Sequence, residues 1–161
     1  MKILKTKEEI QNKVKEIAKN INKDFYNKKF TIIIVLKGAF IFASDLVREL
    51  NGDFDIEFLR LKSYENKNSS GKVKKDYSDL ERFRNKKVLV VEDIVDTGLS
   101  MTELKKDLEV VNAKVNICSL IKKKTSLIND YYGFVLGEEF VVGYGLDFNE
   151  KFRNLPDLRI I

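Results

Sequence analysis

The sequence predicts an α/β fold, a mostly parallel twisted sheet flanked by helices, on three observations. Apolar runs such as Phe30–Leu36 are too continuous for the alternating pattern of a strand with one wet face. Between such runs lie stretches whose apolar residues recur with helical spacing. The order reads helix, strand–helix–strand, polar insert, strand–helix–strand, which is the order of βαβ units joined by right-handed crossovers.

Each element has its own signal. Residues 6–22 form an amphipathic helix in which Thr6 and Glu9 match a capping box and Ile10, Val14, Ile17 and Ile21 share a face. Phe30 to Leu36 is a β-branched run and reads as a buried strand. A second helix from about Ala39 to Leu50 stops at Asn51-Gly52, a pair suited to a helix C-terminus. Phe54 to Leu61 reads as a strand. Residues 62–80 are polar with scattered apolar residues, a long loop of the kind that is usually functional or mobile. Val88 to Val91 is a short buried strand, and the loop 92–99 leads into a helix from about Ser100 to Val111. Ser100 and Glu103 match a second capping box, and Met101, Leu104, Leu108 and Val111 share a face. Lys114 to Ile121 is a further strand, with shorter candidates at Phe134–Val135 and Phe140–Val142.

The 161 residues suit a single domain spanning 1–161, with neither repeat nor linker. Hydrophobic residues make up 43% and charged residues 34%, a globular balance. No apolar run is long enough to span a bilayer, and MKILKTKEE has no apolar segment behind its lysines, so neither membrane insertion nor secretion is expected. A lone Cys118 cannot form an internal disulfide, which agrees with a cytoplasmic setting; its apolar surroundings make it a buried small side chain rather than a nucleophile. There is no histidine, which excludes Ser-His and Cys-His catalysis and imidazole-based metal sites. Acid–base work falls to carboxylates, lysines or tyrosines, and any metal is a hard cation held by oxygens. The net charge of +5 suits an anionic substrate, a nucleic acid or simply a solvated lysine-rich surface.

The chemistry concentrates in VLVVEDIVDTGLS, residues 88–100. Glu92 and Asp93 directly follow an apolar strand, where two carboxylates can accept hydrogen bonds from sugar hydroxyls or help hold Mg2+. Further on, Asp96-Thr97-Gly98-Leu99-Ser100 enters a helix. Gly98 can adopt backbone angles closed to other residues, so successive N–H groups can line an anion nest ahead of the helix N-terminus. Thr97 and Ser100 add hydroxyl donors. Carboxylates beside a phosphate nest suit a ligand carrying both hydroxyls and a phosphate, such as a ribose 5-phosphate. The ordinary alternative is an acidic loop with a serine cap, which each residue alone would favour. The loop matches neither GxxxxGK[ST] nor GxGxxG.

The run VEDIVDTGLS resembles the phosphoribosyl-diphosphate (PRPP) motif of type I phosphoribosyltransferases. Leu36-Lys37-Gly38, the segment Arg60 to Tyr64 and the segment Phe140 to Asp147 are similar to the hypoxanthine-guanine branch, in family order from about residue 31 to 155. That resemblance implies a Mg2+-dependent transfer of the phosphoribosyl group from PRPP to hypoxanthine or guanine, yielding a nucleotide and pyrophosphate in purine salvage. It implies that Glu92 and Asp93 hold the ribose hydroxyls and lie near Mg2+, and that Asp96 is the base facing the purine. Thr97, Gly98, Leu99 and Ser100 would cradle the 5-phosphate. Lys37 and Gly38 would bind pyrophosphate next to a Leu36–Lys37 peptide that is commonly cis in the family. Ser63 and Tyr64 would open a hood, about residues 62–80, that closes over the reacting centre. Lys123 would hydrogen-bond the exocyclic oxygen of a 6-oxopurine, Phe140 would stack on the purine and the Val141 backbone would read its edge. Asp147 would stand beside the purine and complete a second Mg2+ site, and Arg153 would reach the pyrophosphate. Taken singly, Lys37 reads as a solvated strand-end lysine, Lys123 as part of a basic loop and Phe140 as core.

The chain departs from the family pattern at Ser126-Leu127, where relatives often carry an arginine. The resemblance also implies a small C-terminal/hood subregion beside the sheet, and a homodimer or homotetramer. The rival reading is a regulator of the same fold that binds RNA or senses nucleotides. It is disfavoured because Lys37, Asp96, Lys123 and Arg153, the residues the chemistry needs, are all present.

Overall fold

A computed structural model describes residues 1–61, 79–128 and 130–161. Its centre is a five-stranded sheet in the order β3-β2-β4-β5-β6, formed by β2 (Phe30–Leu36), β3 (Phe54–Arg60), β4 (Lys87–Val95), β5 (Lys114–Lys123) and β6 (Tyr131–Leu136). Every neighbouring pair in it is parallel. Three helices cover it: α1 (Lys7–Asp24), α2 (Phe40–Glu49) and α3 (Leu99–Val110). The pleat sorts the side chains. Ile32 and Ile34 of β2 and Leu89 and Val91 of β4 pack with α1 and α2, whereas Ile33, Val35, Val88 and Val90 pack with Met101, Leu104 and Leu108 of α3. A strand sandwiched between helices has no wet face, which is why these runs are continuously apolar.

The capping box of α1 forms as expected: Thr6 Oγ1 accepts from the Glu9 N–H at 3.2 Å and Glu9 Oε2 accepts from the Thr6 N–H at 2.8 Å. The end of α2 is closed differently from expectation. Leu50 is extended at the C-cap, and Asn22 of α1 serves the terminus from outside, donating to the Glu49 carbonyl at 3.0 Å and accepting from the Asn51 N–H at 2.8 Å.

The structure corrects two boundaries near the 88–100 segment. The strand does not stop at Val91 but runs to Val95, because β5 also continues and pairs Glu92 with Ser119, Ile94 with Ile121 and Val95 with Lys122. Glu92 and Asp93 therefore lie within a strand, and Lys123 ends the neighbouring one. The Ser100–Glu103 capping box does not form. Gly98, at φ +87°, is the N-cap, and its carbonyl accepts from the Thr102 N–H at 2.8 Å. Ser100 is thus already inside the first turn.

A second sheet was not expected. Strands β1 (Lys2–Lys5), β8 (Leu158–Ile160) and β7 (Val141–Val142) pair antiparallel in the order β1-β8-β7. Its Val141 and Leu158, with Tyr144 and Leu146 beyond β7, join the core shared by α1 and α2, so this small sheet is anchored to the main body through apolar contacts. Cys118 is fully buried in β5, as its setting suggested, and burial raises its thiol far above the ordinary range. No described helix is long and apolar enough to cross a membrane.

Candidate active site

The carboxyl ends of β4 and β5 and the start of β7 converge on a cavity of about 380 Å³. Asp93, Asp96, Lys123, Phe140, Val141 and Asp147, all singled out from the sequence, line it together with Ile94, Glu138, Glu139 and Leu146. Ligands of open parallel sheets bind beyond the carboxyl ends of strands, and this cavity sits there.

At one wall, the buried Lys123 ammonium donates to the Glu139 backbone carbonyl at 2.7 Å. That bond fixes a cation beside an apolar surface made by Phe140 and Leu146. Phe140 is 54% exposed, so it is not core packing. Its orientation is set by Phe148, edge-on at 5.7 Å between centroids with planes at 83°. Phe148 was not found from the sequence, since an aromatic two residues after a glycine-rich turn has no distinctive pattern. The Glu139 contact is equally illegible, because any residue type supplies a carbonyl.

At the other wall stands Asp93, with Glu92 beside it in the strand but outside the lining. The Asp93 N–H donates to Glu92 Oε1 at 3.0 Å, and the Ile94 N–H donates to Asp93 Oδ1 at 2.7 Å. Burial, then the negative charge of Asp93, pushes the Glu92 carboxyl well above the usual carboxylate range. Asp93 also abuts Gly38: a Cβ at position 38 would fall within its carboxylate, so any side chain there must displace Asp93. Gly38 in turn touches the loop that carries Asp147, for a Cβ on Gly145, at φ +103°, would collide with the Gly38 carbonyl. The Leu36–Lys37 peptide just before is cis.

Lys37 and Arg153 do not line the cavity but lie near one another. Glu150 bridges them, with Oε2 at 3.0 Å from Lys37 Nζ and Oε1 at 3.3 Å from an Arg153 Nη2. The same Arg153 nitrogen lies 2.8 Å from Asp147 Oδ1, while Nη1 donates to the Gly145 carbonyl at 2.8 Å. The Lys37 hydrogen bond, ahead of Arg153, lowers the Glu150 carboxyl. Tyr144 fastens the same loop to α2, its hydroxyl bonded to Asp45, and burial raises its phenol.

Thr97, Gly98, Leu99 and Ser100 form the entry to α3. Thr97 Oγ1 accepts from the Leu99 N–H at 3.3 Å, and Gly98 is buried against Ile128 and Ser126. Thr97, Leu99 and Ser100 are exposed beside the helix N-terminus. Ser63 and Tyr64, and nearly all of the expected hood at 62–80, lie outside the described residues.

The donor chemistry near the cavity is that of a hard cation. Glu92, Asp93 and Asp147 offer only oxygen, and the upward push on Glu92 marks adjacent carboxylates that a divalent ion would relieve. Among the described residues there is no cluster of three metal-ligating side chains.

Comparison with known proteins agrees with this geometry. Residues 2–149 match the phosphoribosyl transferase domain family. The chain is 39% identical to the hypoxanthine-guanine phosphoribosyltransferase of Aquifex aeolicus, over 100% of this chain and 94% of that one. It is 32% identical to the hypoxanthine-guanine-xanthine phosphoribosyltransferase of Tritrichomonas foetus, over 99% and 91%. A crystal structure of a hypoxanthine-guanine phosphoribosyltransferase from Bacillus anthracis superposes with a TM-score of 0.89 at 40% identity, covering 100% of this chain and 98% of that one. The chain belongs to the hypoxanthine-guanine phosphoribosyltransferase family and has the type I phosphoribosyltransferase fold.

Proposed function

We propose that this enzyme transfers the phosphoribosyl group from PRPP to hypoxanthine or guanine, releasing IMP or GMP and pyrophosphate in purine salvage. The observation that carries the reading is the single cavity shared by Asp96, Lys123 and Phe140, with Asp93 and Gly38 in contact at its edge. A base binder and a sugar-diphosphate binder adjoin there.

In this reading the purine lies on Phe140, its edge toward the Val141 backbone, and its 6-oxygen accepts from Lys123. Adenine presents an amino donor at that position and leaves the ammonium unmatched, so it is rejected. Glu92 and Asp93 hold the ribose hydroxyls. The amides and hydroxyls of Thr97 to Ser100 hold the 5-phosphate at the start of α3. Lys37, Gly38 and Arg153 hold the diphosphate. The bond between C1′ and the diphosphate oxygen breaks with its electron pair leaving on pyrophosphate. The purine nitrogen bonds C1′, and Asp96 takes the imidazole-ring proton. Glu92 and Asp93 would help hold one Mg2+ and Asp147 would belong to a second site completed by diphosphate oxygens; bound there, the cation would neutralise charge on the diphosphate. Ser63 and Tyr64 belong to the hood that keeps water from the sugar cation. The setting is the cytoplasm, consistent with a free, buried Cys118.

The test is direct. The protein is incubated with PRPP, Mg2+ and each purine base in turn, and nucleotide is followed. Product with hypoxanthine or guanine, dependent on Mg2+, is expected. No product from any 6-oxopurine defeats the assignment.

A further inference from the structure

Glu150 has no part in the chemistry above, yet its carboxylate spans the two cations assigned there to the diphosphate. Two anionic oxygens set against Lys37 Nζ and Arg153 Nη2 reproduce the contacts that a phosphoryl group would make. The backbone presents the side chain for this. The Glu150 N–H donates to Asp147 Oδ2 at 2.8 Å, and the turn is closed on both sides by Phe148 N–H to the Lys151 carbonyl and Lys151 N–H to the Phe148 carbonyl, each at 3.1 Å. The carboxylate itself is solvent-facing, with 66% of the side chain exposed. An exposed ion pair is weak, so the carboxylate can leave without disturbing the fold. Arg153 would not drift when it does, because Asp147 Oδ1 and the Gly145 carbonyl still hold the guanidinium at 2.8 Å each.

We propose that Glu150 is a built-in competitor for the diphosphate. It occupies Lys37 and Arg153 in the free enzyme, withdraws when PRPP binds and returns as pyrophosphate leaves. The inference rests on the assignment of Lys37 and Arg153 to the diphosphate. A site that bound pyrophosphate without such competition would hold its own product longer. With Glu150, tight diphosphate contacts during reaction are reconciled with ready release afterwards.

The test is calorimetric titration of pyrophosphate with Mg2+ into the wild-type protein, Glu150→Gln, Lys37→Ala and the double variant. Glutamine keeps the size, removes the charge and replaces one acceptor oxygen by an amide donor that neither cation can use. Glu150→Gln should bind pyrophosphate about 3- to 10-fold more tightly, the span expected for releasing weak exposed pairs. In the Lys37→Ala background the same change should give a smaller gain, a coupling that a purely structural role would not produce. Equal or weaker binding by Glu150→Gln, with Lys37→Ala clearly impaired, overturns the competitor role alone. Unimpaired binding by Lys37→Ala overturns the diphosphate assignment and the competitor with it.

Discussion

At the residue scale, the proposed proton acceptor and the proposed base reader make distinct failures. Asp96 is exposed at the mouth of the cavity, so Asp96→Asn should fold normally while turnover falls roughly 10²–10⁴-fold, the usual range for losing a general base. Near-normal kcat would remove Asp96 from that role. Lys123→Met keeps the length of the side chain and loses the donor. Its kcat/KM for hypoxanthine should drop about 10- to 100-fold, the worth of a hydrogen bond to a charged group, while the KM for PRPP changes little. Equal loss toward both substrates would show that Lys123 supports the cavity rather than reading the base. Glu92 carries a cost of a different kind. Folding raises its carboxyl, so the ionised form is disfavoured in the fold, and stability falls as pH rises from the ordinary carboxylate range toward the raised value. Glu92→Gln should therefore melt at a higher temperature than the wild type at pH 7, with lower activity. An unchanged or lower melting temperature would contradict the strain inferred for the carboxylate pair.

At the element scale, long periodic segments were legible and terminal details were not. Phe30–Leu36 is a strand with the bounds its composition suggests, and the Thr6–Glu9 box starts α1. Thr6→Ala should cost about 1 kcal/mol of stability, seen in denaturant unfolding; no change would mean that packing alone holds that end. The Glu9 half of the box is lowered mainly by its bond to the Thr6 N–H, so its support is present at neutral pH and is lost as pH falls through that lowered value. The second box misled because Ser100 and Glu103 have the right spacing, yet the chain turns at Gly98, whose positive φ starts the helix earlier. Strands β1 and β8 went unseen because KILK and LRI are too short to show a period and only half-buried. The end of β4 was misjudged because charged Glu92 and Asp93 mimic a loop. Their place in a strand follows from the length of β5, which no local pattern of residues 88–95 records.

At the scale of the whole molecule, the candidate site was legible only because separate motifs came from one family pattern. Asp96, Lys123 and Phe140 share no local signal and meet through the β4–β5 pairing and the small sheet. Assembly is the property that this scale should also decide. Ile56 and Phe58 on the edge strand β3 are exposed, and an association into a homodimer or homotetramer would cover such side chains. Sedimentation should find no monomer at micromolar concentration, and Phe58→Glu should shift the protein toward one; a wild-type monomer would reject the assembly.

The strand order β1-β8-β7 has a consequence for the newborn chain. β8 lies in the middle of its sheet, so β1 and β7, which carries Val141, have no partner there until residues 158–160 emerge from the ribosome. The five parallel strands can assemble earlier during translation, but the side of the pocket that carries Phe140 and Val141 gains its support only then. A released fragment ending before Leu158 would fold its main sheet and still lack a braced wall at Phe140 and Val141.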